Sequence, residues 1–221
     1  MTIKKLFYTT LGVAGLAALS SLYVWFQLPA DAAIAVHWNI EGVPDSYAQK
    51  TWGLFVTPLM ILALSPLIRF LPALEPRREH LKASMKLLAT TWVGALVVVL
   101  IAHMIILLSA LGVAVDVMTA IATALGVMFV LIGNVLGKSK STFFVGFRTP
   151  WTLSSDNVWN KTHRLVGKLF MAAGVVIVIL PHTGIGSALL SISMMSAILV
   201  PVLIGIVYSF VVWKKEQTEK G

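Results

Sequence analysis

The sequence predicts an all-α, polytopic membrane protein with six transmembrane helices and both termini in the cytoplasm. Three observations carry that reading. Of 221 residues, 58% are hydrophobic and 12% charged, with a mean hydropathy of +0.89; an ordinary soluble domain carries about a quarter charged residues. The apolar residues also fall into charge-free runs, each close to the ~20 residues needed to cross a hydrocarbon core of about 30 Å. Finally, lysine and arginine crowd into alternate connecting segments, which selects one orientation.

The first run covers residues 6–30, behind Lys4 and Lys5. "LPADAAIA" at its end resembles a signal-peptidase site. A signal core is only about 7 to 15 apolar residues long, so an uncleaved first span is expected. Residues 51–68 lie between Lys50 and Arg69, residues 87–115 between Lys86 and Asp116, and residues 117–137 end at Lys138. Residues 169–213 are again uncharged but too long for one crossing. "PHTGIG" at 181–186 divides them, because proline and two glycines favour a tight turn. The fifth span then begins near Leu165, with Lys168 snorkelling to the interface. Pro58, Pro66 and Pro201 remove backbone donors and bend their spans. Gly12, Gly15, Gly126 and Gly133 offer close helix contacts.

With the N-terminus inside, the inner segments hold two basic residues before the first span and five from Arg69 to Lys86. Six more follow from Lys138 to Lys168, and three lie after Trp213, so 16 of the 17 are inside and Lys50 alone is outside. A net charge of +8 and a pI near 9.9 are also what a nucleic-acid-binding protein shows. Charge spread over every inner loop points instead to the bilayer as the partner, with no direct nucleic-acid binding. Cysteine is absent, which excludes disulfides and thiol chemistry. No catalytic triad, His-Glu-x-x-His or phosphate loop is present, and no acidic residue interrupts a span, which disfavours a proton-coupled pump. Neither cofactor, metal nor enzymatic activity is expected.

Two connections carry enough polar residues for recognition. The outer one, "LPADAAIAVHWNIEGVPDSYAQK", places His37, Asn39, Gly42, Pro44 and Asp45 in an ordered loop, with Trp38 and Tyr47 as interfacial aromatics. A metal site on His37, Glu41 and Asp45 is the alternative there, although Asn39, Gly42 and Pro44 argue against the helix that would align them. The inner one, residues 138–164, contains "GFRTPWTLSSDNVW". Gly146 permits a positive φ, and Pro150 forces Thr149 into extended backbone. Ser155 or Asp156 then caps a helix that runs into the fifth span. On that helix Trp159 and His163 share a face, as do Asn160 and Arg164. A cluster of Arg148, Trp151, Trp159, His163 and Arg164 at the inner mouth is expected. Within the spans, His103 and Asn134 are the polar candidates, either bonding a neighbouring helix or lining a path. "LEPRREHLKASMK" reads as a solvated basic turn, placed to touch anionic lipid.

"GNVLGKSKSTFFVGFRTPWTLSSDNVWNKTHR" resembles the signature of SdpI-family membrane proteins, the immunity proteins of sporulation-delaying toxin systems. Gly-x-Arg-Thr-Pro-Trp-Thr-Leu is matched from Gly146, and the later Trp and Thr-His pair by Trp159, Thr162 and His163. Thr142 and Phe147 depart from the usual asparagine and isoleucine. The N-terminal part is similar to the small domain of unknown function that often precedes the family region, through Pro29, His37, Asn39, Gly42, Pro44 and Asp45. The resemblance implies protection against a secreted peptide toxin outside. In the founding system this is joined to capture of a transcriptional regulator inside. It divides the chain into residues 1–71, with outer loop 30–50, and residues 72–221, with inner loop 138–164. The rival functions are a small transporter using His103 or Asn134, and a membrane-embedded metal hydrolase using His37 and Asp45.

Overall fold

The computed structural model describes residues 1–219, so Lys220, counted above among the basic residues, lies outside the described part. Six helices are long and apolar enough to cross a membrane: α1 (Ile3–Gln27), α2 (Lys50–Leu74), α4 (Met85–Ala110), α5 (Val117–Leu136), α7 (Asp156–Ile179) and α8 (Ser187–Thr218). Short helices α3 (Arg78–Ala83) and α6 (Pro150–Ser154) sit in the connections. Strands β1 (Ala33–Trp38) and β2 (Pro44–Gln49) fill the first long loop. An even number of crossings puts both chain ends on one face, with the 137–155 segment. The hairpin occupies the opposite face.

Two expectations change in detail. The fifth span does not begin near Leu165: α7 is continuous from Asp156, and Ser155 caps it by accepting the Val158 N–H. It closes in a 3₁₀ turn, Leu180–Thr183, with Gly184 at φ +72°. The loop between α1 and α2 is an antiparallel hairpin, with Ala33 opposite Gln49 and Ala35 opposite Tyr47, and bulges around His37. Its tip is closed by Asn39, whose side-chain oxygen accepts the N–H groups of Glu41 and Val43, with Gly42 at φ +75°. Ile34 anchors the hairpin in a cluster with Val24, Leu54, Ile106 and Leu107. Gly53 makes room for it, since a Cβ there would fall 2.6 Å from the Ile34 Cβ.

Small residues join the later spans. A Cβ on Gly174 would lie 2.5 Å from the Gly126 carbonyl oxygen, and one on Gly167 2.7 Å from that of Gly133. The seven-residue spacing on both antiparallel helices therefore brings α5 and α7 into backbone contact twice, as small residues allow in lipid. Gly12 and Gly15 do no such work: nothing stands within 4 Å of a Cβ placed on either. Leu6, Ala14, Ala17 and Val24 pack α1 into the core, and polar contacts fix it further. The Trp92 indole N–H donates to Thr10 at 2.8 Å, and Ser21 donates to the Leu54 carbonyl at 2.6 Å.

Lys50, the lone basic residue of the hairpin face, is only 7% exposed. Its ammonium donates to the Leu28 carbonyl at 2.6 Å and lies 4.3 Å from the Trp25 ring centroid. It caps the C-terminal end of α1, where unpaired carbonyls and the helix dipole favour a cation.

Candidate functional site

The segment between α5 and α7 has almost no regular structure, yet it is ordered by side chains. Gly146 adopts φ +124°, and a Cβ there would stand 2.6 Å from the Trp159 ring and 2.8 Å from His163 Nε2. Trp159 and His163 stack at 3.8 Å between ring centroids, both fully buried. The Trp159 indole N–H donates to the Ser139 carbonyl at 3.1 Å. His163 Nε2 accepts the Phe147 N–H at 2.9 Å, and Nδ1–H donates to the Trp159 carbonyl at 2.9 Å. These partners define a neutral imidazole with its proton on Nδ1. The pair is thus a platform on which residues 146–147 rest.

Thr149 then turns the chain. It caps α6 reciprocally with Thr152, and its hydroxyl donates to Ser209 on α8 at 3.1 Å. Pro150 occupies the first position of α6, where its missing N–H costs nothing. This turn separates residues expected together. Trp151 packs on Phe210 of α8, with ring centroids 5.1 Å apart. Arg148 is exposed and donates to the Phe143 carbonyl at 2.5 Å. Arg164 is also exposed, with its backbone against Gly137. The expected five-residue cluster therefore resolves into a buried Trp159–His163 core, two arginines facing solvent, and Trp151 turned away onto α8.

Sequence reading missed the other half of the site. Glu75, just past α2, is 1% exposed, and its carboxylate accepts the N–H groups of Arg77, Phe143 and Phe144 at 3.0, 3.0 and 3.2 Å. The Arg77 guanidinium donates to Ser141 and to the Leu153 carbonyl, and lies 5.0 Å from the Phe143 ring centroid. His80 Nδ1 bonds the Ser141 carbonyl at 2.8 Å. The Ser84 hydroxyl accepts the Lys140 N–H and donates to its carbonyl. "LEPRREH" is therefore a clamp on the 139–144 backbone rather than a solvated turn. The one available signal was an acidic residue between prolines at the end of a span. Beneath residues 144–148 lies an apolar cleft of about 440 Å³ lined by Leu71, Leu88, Trp92 and Phe170, with Arg148 at its edge.

On the hairpin face, His37 Nδ1 and Asp45 Oδ1 are 2.5 Å apart, and both side chains are substantially exposed. Asn39, Gly42 and Pro44 shape the turn and the start of β2. Trp38 packs against the Ile34 cluster, whereas Tyr47 is exposed. A cleft of about 260 Å³ runs under β1, lined by His37, Trp38, Ile106, Met118 and Ile121. Among the described residues no group of three His, Asp or Glu side chains converges as a metal ligand set.

Of the intramembrane candidates, His103 is fully buried and bonds α1. Its Nε2 lies 3.1 Å from the Ala17 carbonyl and 3.3 Å from the Ser20 and Ser21 hydroxyls. Both hydroxyls donate to backbone carbonyls, so Nε2–H is the donor to Ala17. Asn134 is exposed on α5, in a groove shared with Lys86 and Thr90. His103→Ala is expected to loosen α1 from α4, lowering thermal stability by about 2–3 kcal/mol through a lost buried hydrogen bond and a cavity. Thermal unfolding in detergent checks this.

Residues 138–212 match the SdpI/YfhL protein family, and residues 12–62 match a domain of unknown function, DUF1648. The chain is similar to SdpI-family membrane proteins. It is 25% identical over 165 residues to Immunity protein SdpI of Bacillus subtilis (strain 168), covering 75% of this chain and 76% of that protein. No solved structure matches. The SdpI/YfhL match begins at the Ser84-clamped lysine turn and takes in Gly146, the Trp159–His163 stack and most of α8. The DUF1648 match takes in most of α1, the hairpin and the first half of α2. With six spans and this kinship, it is a multi-pass bacterial membrane protein.

Proposed function

We propose that this protein is a non-enzymatic immunity protein of the cell membrane that protects its host against a secreted toxic peptide. Residues 1–71 receive the peptide outside, and residues 72–221 present the Gly146–Arg164 surface inside. The observation that carries the reading is the kinship to Immunity protein SdpI, spread over 75% of the chain. Orientation rests on charge, since Lys50 is the sole basic residue on the hairpin face and acts there as a helix cap. An outward-facing hairpin suits a peptide ligand: Ile40, Val43 and Tyr47 are all more than half exposed beside the His37–Asp45 pair. Apolar side chains with two unpaired strand edges are what an extended peptide needs for docking.

Alpha-2 joins the two faces. It begins at Lys50, directly after β2, and ends one residue before Glu75, which holds the N–H groups of Phe143 and Phe144. Peptide binding that favours one tilt of this proline-bearing helix would reset the inner loop, given different affinities for the two arrangements. The exposed Arg148 and Arg164 then engage an acidic surface of a cytosolic regulator.

Survival of cells challenged with a sporulation-delaying-type toxic peptide tests the function. Cells expressing the protein should outgrow cells without it by at least tenfold, and equal survival refutes immunity. Arg148→Ala with Arg164→Ala should keep protection while abolishing co-purification of the regulator. Orientation has its own test, made simple by the absence of native cysteine. Ser46→Cys should react with an impermeant maleimide in intact cells, and Ser154→Cys only after lysis.

A further inference from the structure

We propose that the groove between the start of α1 and the end of α2 is a binding site for the phosphate headgroup of an anionic phospholipid. The groove encloses about 680 Å³ and is lined by Lys4, Arg69 and Arg78 together with Phe7, Tyr8 and Phe70. No carboxylate lines it. Among the described residues, none of the three cationic side chains makes an ion pair or hydrogen bond. Their neighbours differ: Lys82 pairs with Glu79, and Arg77 is spent on Ser141 and Leu153. Three convergent cations without a protein counter-charge repel one another unless an anion sits between them, and guanidinium groups match phosphate oxygens in pairs.

Depth selects a lipid as the source of that phosphate. Arg69 follows Lys50 by 19 residues along α2, about 28 Å at 1.5 Å per residue. That is close to the ~30 Å hydrocarbon thickness, so the groove lies at headgroup level on the face of the chain termini. Tyr8 and Phe70 are each 58% exposed beside the cations. They give an acyl chain an apolar track leading away from the phosphate. A soluble anion would leave both rings uncovered.

Native mass spectrometry of the detergent-solubilised protein with equimolar phosphatidylglycerol and phosphatidylcholine tests the site. The protein should retain phosphatidylglycerol at least fivefold over phosphatidylcholine, the equivalent of about 1 kcal/mol. Lys4→Gln, Arg69→Gln and Arg78→Gln combined should abolish the preference, whereas Lys214→Gln with Lys215→Gln should leave it intact. Equal retention of both lipids, or equal loss in the two variants, overturns the proposal. Displacement by excess inorganic phosphate overturns the lipid assignment and leaves a soluble anion. Should the triple variant fail to fold, salt decides on the unmodified protein: preference must fall with ionic strength, and a salt-insensitive preference refutes a charge-built site.

Discussion

Gly146→Ala is expected to expel the 144–148 segment from its seat and to abolish any function that depends on it, while leaving the six spans inserted. Two costs combine. The backbone at φ +124° belongs to glycine, and a side chain forced there costs about 1–3 kcal/mol. The added methyl also meets the Trp159 ring at 2.6 Å and His163 Nε2 at 2.8 Å. Neither neighbour can give way easily. Trp159 is tied to the Ser139 carbonyl and His163 to the Trp159 carbonyl, so overpacking adds a further ~1–3 kcal/mol. A total near 4 kcal/mol exceeds what a single loop hydrogen bond returns. The segment should therefore move, breaking the bond from the Phe147 N–H to His163. Hydrogen exchange provides the measurement: the Phe147 amide should lose protection by two orders of magnitude or more, with the α7 amides unchanged. Retained protection would mean that the platform is softer than its packing implies.

His163 and Trp159 were legible because both rules that placed them are local. Residues four apart on a helix share a face, and a glycine permits the positive φ that Gly146 adopts beneath them. The six spans were equally legible, since hydropathy over 20 residues is a local sum. What escaped depends on distances that a linear sequence does not carry. Beta-2, "PDSYAQ", begins with proline and aspartate, which are depleted in strands, so only its pairing with β1 around Ile34 makes it a strand. The expected union of Arg148 and Trp151 with the stacked pair failed because Thr149 and Pro150 start a new helix there. That helix carries Trp151 away to Phe210 on α8. Glu75 was missed for the same reason: 68 residues separate it from the Phe143 amide it holds.

That separation makes Glu75 the most informative residue to remove. Glu75→Ala should release the 139–144 backbone while sparing the stacked pair, the reverse of the Gly146→Ala pattern. Its carboxylate is almost fully buried and accepts three backbone N–H groups. Hydrogen bonds to a charged group contribute about 1.5–3 kcal/mol each, and orphaned buried donors are costly in their own right. After partial rehydration, a loss of roughly 3–5 kcal/mol is expected. Glu75→Gln should fall between, because its amide retains one acceptor oxygen but turns an NH2 toward backbone donors. Limited proteolysis of membranes separates the outcomes: cleavage near Phe143 should rank alanine above glutamine above the native protein. Survival under toxic peptide adds the functional reading. If α2 carries the signal from hairpin to inner loop, Glu75→Ala should keep peptide binding yet uncouple it from the regulator, whereas Gly146→Ala should remove the surface that the regulator meets. Identical behaviour of the two variants in both assays would mean that the loop responds as one unit, and α2 would then have no separate role.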